Sequence, residues 1–194
     1  FQKQVGSLIW QSPFAKRAYT KPLGYAGDYE MMDMIYRNPY EGDTFFAKLV
    51  NKYLCHHNRA AEASRNRIPF LLKKIEQVAK EGEHAKRRSR ILSMACGPVN
   101  EVIEFIRNNE VSNHTEVTLI DVEPEALYFT QEMVLEAKIA AKRQIKTNVY
   151  YIPLRQLLTE TKKLKHLNNQ DLVYCAGLFE YLSDDVCKRT IRKL

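Results

Sequence analysis

The sequence predicts an α/β protein: a sheet of parallel strands over residues 86–194, preceded by a helical extension or lid over residues 1–85. Three observations carry this expectation. An apolar run from Arg90 to Met94 ends in the small residues Ala95, Cys96 and Gly97, then opens through Pro98, at an expected first helical position, into Val102, Ile103, Phe105 and Ile106. A second apolar run, Val117 to Ile120, ends in Asp121-Val122-Glu123-Pro124. Further runs, Thr147 to Ile152 and Asp171 to Cys175, recur after helical stretches, so strands and helices alternate as a parallel sheet requires.

Taken in order, Val5, Leu8, Ile9 and Trp10 suit a short helix that Pro13 interrupts. The densest turn signal is Lys21-Pro22-Leu23-Gly24-Tyr25-Ala26-Gly27-Asp28-Tyr29-Glu30. Its aspartate either caps a helix over Tyr29 to Tyr36 or faces a cationic group on a ligand, with Tyr25 and Tyr29 as stacking rings. After the break at Asn38-Pro39, a helix from about Thr44 carries Phe45, Phe46, Leu49, Val50, Tyr53 and Leu54 at helical spacing. Cys55-His56-His57 has the residue types of a metal site, but adjacent residues point to different helix faces and no second ligand cluster exists. No metal is expected, and the triplet reads as a helix end or a bend. Residues 58 to 82 form another helix, with Ile68, Leu71, Leu72, Ile75 and Val78 facing a core and Pro69 as a point of kinking or breakage. The basic run up to Arg90 connects it to the sheet.

Within the sheet segment, Glu123-Pro124-Glu125 starts a long helix to about Lys142, its acids at the positive end of the dipole. Pro153-Leu154 closes the third strand, and a polar helix with Leu157, Leu158 and Leu164 leads to the turn Asn168-Asn169-Gln170. Ser183-Asp184-Asp185 opens the last helix. Right-handed crossovers bring all the strand exits to one rim: Ala95 to Pro98, Asp121 to Glu123, Pro153 to Leu154, and Ala176 to Tyr181.

Composition bounds the function. The 194 residues, 45% hydrophobic and 27% charged, suffice for a folded core. No run has the length of a membrane helix, and Phe1 to Trp10 lacks the apolar segment of a secretory signal. The formal charge of +7 admits nucleic acid, an acidic partner or solvated helix faces. Its clusters, Lys86-Arg87-Arg88 and Lys162-Lys163 with Lys165, fall in expected loops and helix ends, which favours solvated faces and makes a nucleic-acid partner the weaker expectation. The 4 cysteines have no paired short spacing and read as reduced thiols of a cytoplasmic protein.

The rim is where chemistry is expected. Small residues at Ala95, Cys96 and Gly97 let a ligand approach the backbone, and the following helix offers free N–H groups. Asp121, at the tip of the second strand, can accept two hydrogen bonds from ribose hydroxyls. Dinucleotide sites use Gly-x-Gly-x-x-Gly beneath a pyrophosphate, whereas this turn holds one glycine, Gly97. It suits a nucleoside ligand without phosphate, such as S-adenosylmethionine, and argues against a nicotinamide-dependent oxidoreductase.

Over roughly residues 90 to 194 the pattern resembles the class I S-adenosylmethionine-dependent methyltransferases, with their Rossmann-like sheet. Pro22 to Met32, Cys96-Gly97-Pro98 and Gly177-Leu178-Phe179-Glu180-Tyr181-Leu182-Ser183-Asp184 together resemble a bacterial family of extracellular-factor 3-hydroxypalmitic acid methyl ester biosynthesis proteins, a likeness that spans nearly the whole chain. The resemblance implies methyl transfer to a carboxylate such as a 3-hydroxy fatty acid. It implies that Ala95, Cys96 and Gly97 form the first cofactor motif and that Asp121 holds the ribose. The neighbouring strand exits, Val122, Pro153, Leu154 and Ala176, would complete the cofactor site, while Tyr29, Phe179 and Tyr181 either line a substrate entrance or pack at the rim. Ser93 and Met94 stand where the family places an acid, so Asp28 is the candidate for the cofactor's amino group and Tyr25 for closing over it. The fourth strand lacks the Asn/Asp-Pro-Pro-Tyr of adenine and amide N-methyltransferases, which disfavours those acceptors. Only one helix follows the fourth strand, so the C-terminal strands that the resemblance implies are expected to be missing, leaving an exposed sheet edge. An ionised carboxylate acceptor needs no strong general base, and no catalytic residue is singled out. An RNA or protein methyltransferase and a non-catalytic binding module are the alternatives.

Overall fold

The computed structural model describes residues 2–159 and 164–193. The chain folds as two compact units, residues 1–69 and 70–194.

The N-terminal unit is helical: α1 (Gln2–Ile9), α2 (Pro13–Thr20), α3 (Tyr29–Arg37), α4 (Phe45–Lys52), a π-helical turn (Tyr53–His57) and the first part of α5 (Arg59–His84). Pro13 begins α2, where its missing N–H costs nothing, and Ser12 caps that helix through Ala15 N. The sequence suggested interruption there, and a second helix stands instead. Phe14, Met31, Met34, Ile35, Cys55 and Ala61 form the core. Asn51, fully buried, ties it together: its Oδ1 accepts from Ser12 Oγ at 2.8 Å and Phe14 N at 3.0 Å, and its Nδ2 donates to Pro39 O at 3.3 Å. On α4 the inward positions are Ala47 and Asn51, followed by Cys55 one turn on, so small side chains permit close helix approach. Phe45, Phe46, Leu49 and Tyr53 face outward. The π-turn ends where the Arg65 guanidinium donates to the carbonyls of Cys55 and His56, which accounts for Cys55-His56-His57 as a helix end.

Helix α5 runs continuously through Pro69, the point at which the two units divide. The sequence placed the change of organisation near residue 85, at the basic connection. The division falls earlier because Ile75 and Ala79, both fully buried, belong to the core of the sheet unit.

That unit holds β1 (Ser89–Met94), α6 (Asn100–Asn108), β2 (Thr115–Asp121), α7 (Pro124–Ala141), β3 (Lys146–Tyr151), α8 (Leu154–Thr159), β4 (Leu172–Cys175) and α9 (Asp184–Ile191). All strand pairs are parallel and the order is β3-β2-β1-β4. Side chains alternate between two cores, as the two-residue period of a strand demands. Ile91, Val117 and Leu119 meet α5, α6 and α7 on one face. Leu92, Met94 and Ile120 meet Leu157, Leu164 and Leu167 on the other. Both faces are therefore covered, the arrangement that right-handed crossovers on either side of β1 produce. Part of the expected polar helix before β4, at Lys162-Lys163, lies outside the described residues.

Two details of local geometry fix the entry to β1. A Cβ at Gly82 would lie 2.0 Å from Ser89 Oγ, and that hydroxyl donates to Val78 O at 2.8 Å. The last turn of α5 can touch the start of β1 only because residue 82 lacks a side chain. We therefore expect Gly82→Ala to lower stability in urea unfolding although alanine is worth about 1 kcal/mol more than glycine in a free helix. Truncating the fully buried Phe105 to alanine should cost about 3–5 kcal/mol in the same measurement.

Candidate cofactor site

The chain runs from β1 to β2 to β3 on one side and then returns to place β4 against the other side of β1. This reversal makes the C-terminal ends of β1 and β4 a topological switch point, the place where open parallel sheets hold ligands. Met94 of β1 pairs with both Ile120 of β2 and Cys175 of β4, so three exits open side by side.

The β1 exit is strained and heavily tied. Ala95, Gly97 and Val99 all have positive φ, at 48°, 54° and 48°. Left-handed backbone costs a non-glycine residue about 1–2 kcal/mol, and a β-branched valine there is an outlier. The surroundings hold it. Cys96 N donates to Ile120 O at 3.1 Å, Gly97 N to Asp121 Oδ2 at 3.1 Å, and Thr130 Oγ1 to Gly97 O at 2.6 Å. The buried Val99 then accepts from Val102 N and Ile103 N at 2.9 and 3.0 Å, starting the helix. Helix α6 thus begins at Asn100, and Pro98 lies in the turn rather than at the first helical position expected for it, because Val99 is left-handed. A Cβ built on Gly97 meets nothing within 4 Å, so the turn faces open space.

Asp121 ends β2 almost buried. Its Oδ1 accepts from Val122 N at 2.7 Å and Glu123 N at 3.0 Å, and its Oδ2 takes the Gly97 N–H. A carboxylate has about four lone-pair directions, so one remains on Oδ2. Two ribose hydrogen bonds, as the sequence suggested, would require the Gly97 N–H bond to be given up. Ile152 N donates to Asp121 O at 3.1 Å, which puts Pro153 and Leu154, both half-buried, at the next exit along the rim. At the β4 exit Ala176 and Gly177 are half-buried, Phe179 is half-buried and Tyr181 exposed, the last two in a 3-10 turn.

A carboxylate that sequence reasoning passed over also stands here. Glu101, in the first turn of α6, is only 6% exposed and accepts from the Tyr174 hydroxyl at 2.7 Å. Its signal was its place among Val102, Phe105 and Ile106, on the buried face of an amphipathic helix. Burial and the Glu101 carboxylate push the Tyr174 hydroxyl well above its ordinary pKa. Burial likewise raises the Cys96 thiol, with Asp121 and Glu101 adding to the effect.

The remaining candidates, Tyr25, Asp28 and Tyr29, belong to the N-terminal unit. Asp28 is buried and occupied: Oδ1 caps Met31 N at 2.9 Å, and both oxygens accept from Arg17 Nε at 2.8 and 2.9 Å. The helix-cap reading of the Gly-Asp-Tyr loop is thus realised. Arg17 also sits over the Tyr29 ring, 6.0 Å from its centroid. Tyr25 is half-buried in the preceding loop. The basic cluster Lys86-Arg87-Arg88 lies at the opposite end of β1 from the rim, where Arg87 forms a two-pronged ion pair with Asp171 at 2.7 Å. Among the described residues no group of three or more metal-ligating side chains converges.

Neither a family model nor a curated protein matches the chain. A solved structure of a possible exported protein from Bordetella parapertussis superposes with a TM-score of 0.62 at 16% identity. The match covers 94% of this chain and 56% of that one, so the chain spans a little over half its neighbour's length. At that identity the likeness is one of fold.

The buried thiols give a direct check on this geometry. In the native protein at pH 8, iodoacetamide should leave Cys96 unmodified, together with Cys55, whose thiol burial pushes up to about 11. The half-buried Cys187 should be alkylated first, as peptide mass mapping would read.

Proposed function

We propose that the chain forms the cofactor-binding part of an S-adenosylmethionine-dependent methyltransferase that O-methylates a small carboxylic acid, a 3-hydroxy fatty acid being the first acceptor to try. The observation that carries this reading is the tie between Gly97 N and Asp121 Oδ2 at the switch point, with open space over Gly97 and a lone pair left on the acid. The residues present fit a ribose: a hydroxyl can donate to Asp121, and a glycine with no neighbour above it leaves room for the nucleoside. Both carboxylates near the turn, Asp121 and Glu101, suit a cationic ligand and oppose a pyrophosphate, which favours this cofactor over a dinucleotide.

The cofactor would supply an electrophilic methyl group. The protein's part is to bind, align the acceptor oxygen with the methyl and exclude water. Phe179 and Tyr181 at the β4 exit supply apolar surface for an acyl chain. An RNA acceptor has less support, because the basic cluster Lys86-Arg87-Arg88 lies at the far end of the sheet from this rim. Free cysteines at 55, 96, 175 and 187 support a cytoplasmic location, although the structural neighbour is described as possibly exported. Among the described residues no helix is long and apolar enough to cross a membrane.

Calorimetric titration tests the reading. S-adenosylmethionine and S-adenosylhomocysteine should bind, and Asp121→Ala should weaken both by about 10- to 100-fold, the equivalent of losing one hydrogen bond to a charged group. Gly97→Ala keeps the carboxylate but sends a methyl into the open space, and should weaken both ligands while folding normally by circular dichroism. Absence of binding by folded wild-type protein would leave a non-catalytic interaction module. Binding without turnover on any acyl or other acceptor would do the same.

A further inference from the structure

We infer that the outward face of α4 docks onto an anionic lipid surface. The helix is built inside out: its inward positions are Ala47 and Asn51, with Cys55 following, whereas Phe45, Phe46, Leu49 and Tyr53 are exposed by 72%, 49%, 46% and 62%. Positions 45, 49 and 53 are spaced four apart and 46 lies beside them, so the four side chains form one stripe rather than scattered surface hydrophobes. Among them, three are aromatic, the side chains that settle at the boundary between headgroups and acyl chains.

Charge selects the occupant. From Thr44 to Ala61 the sequence contains Lys48, Lys52 and Arg59 and neither aspartate nor glutamate. Lys48 and Lys52 flank the stripe in sequence on the same helix, both half-buried, with the Lys52 ammonium donating to Asn38 O at 3.0 Å. A basic, aromatic, amphipathic segment of this kind suits an anionic bilayer. A second copy seated on the same stripe would bring these lysines against one another, which disfavours self-association. The nearest acids before the segment are Asp43 and Glu41, the latter already paired with Arg37. This docking stands apart from the cofactor reading, since neither the stripe nor its lysines belong to the rim.

The test is co-sedimentation of the whole chain with phosphatidylcholine vesicles that contain or lack phosphatidylglycerol. Binding should appear with phosphatidylglycerol, fall with added salt, and drop at least about tenfold on vesicles of phosphatidylcholine alone. Phe45→Asp and Leu49→Asp, at exposed positions, should each keep the native circular dichroism and melting transition and weaken binding by about tenfold or more. Lys48→Glu with Lys52→Glu should weaken it and flatten its salt dependence. No binding to either vesicle, equal binding by the aspartate variants, or a stripe-dependent dimer in sedimentation equilibrium would each overturn the inference.

Discussion

The tie between Asp121 and the backbone is the constraint on which the sheet unit's functional end depends. One carboxylate accepts the N–H groups of Gly97, Val122 and Glu123, and so joins the turn after β1 to the turn after β2. Without it, the left-handed Ala95 and Val99 on either side of Gly97 would have little to hold them against strain of about 1–3 kcal/mol each. The remaining support is the Cys96 N–H on Ile120 O, the Thr130 hydroxyl on Gly97 O and the buried Val99 at the entry of α6. A turn fixed this way presents its backbone to the open side in one geometry, which is what binding a small polar ligand demands and what a loop free to relax cannot provide.

Most of the sheet unit was legible because hydrophobic period and turn chemistry agreed. Buried strands read as short apolar runs, and Asp121-Val122-Glu123-Pro124 joins a strand exit to proline at the first position of α7. The start of α6 was misjudged by two residues for a physical reason. Proline at the first helical turn is the common case, but the left-handed Val99 delays the helix to Asn100, and nothing in a valine announces positive φ. The division at Pro69 was equally hidden. Ile75 and Ala79 lie on the same continuous helix as the preceding segment, and only packing reveals that they serve the sheet.

Helix α4 shows how a periodic apolar pattern reports a face without reporting its direction. Phe45, Phe46, Leu49 and Tyr53 have the spacing of a core stripe, yet the inward positions went to Ala47, Asn51 and Cys55. Asn51 decides the matter. Its amide satisfies Ser12, Phe14 and Pro39, three groups that burial would otherwise leave without partners, and no apolar side chain could do so. Once Asn51 faces inward, a residue one turn before it and one turn after it must be small enough to let the neighbouring helices close. The large side chains are then left outside.

Two aspartates, each preceding a helix, were singled out from sequence, and their surroundings separate them. Asp28 is neutralised within its own unit: Arg17 takes both oxygens, Met31 N takes the cap, and the same guanidinium reaches Glu30. For Asp28 to receive a ligand's ammonium, it would have to give up a buried ion pair, a loss of several kcal/mol unless Arg17 found another partner. Asp121 is held by backbone N–H groups alone, and among the described residues no lysine or arginine pairs with it. Amide N–H groups hold a carboxylate in place without supplying a counter-ion, so Asp121 is left with an unused lone pair on Oδ2. A cap aspartate and a binding aspartate look alike in sequence. What distinguishes them is whether the fold supplies a cation, and Arg17, eleven residues before Asp28, supplies one.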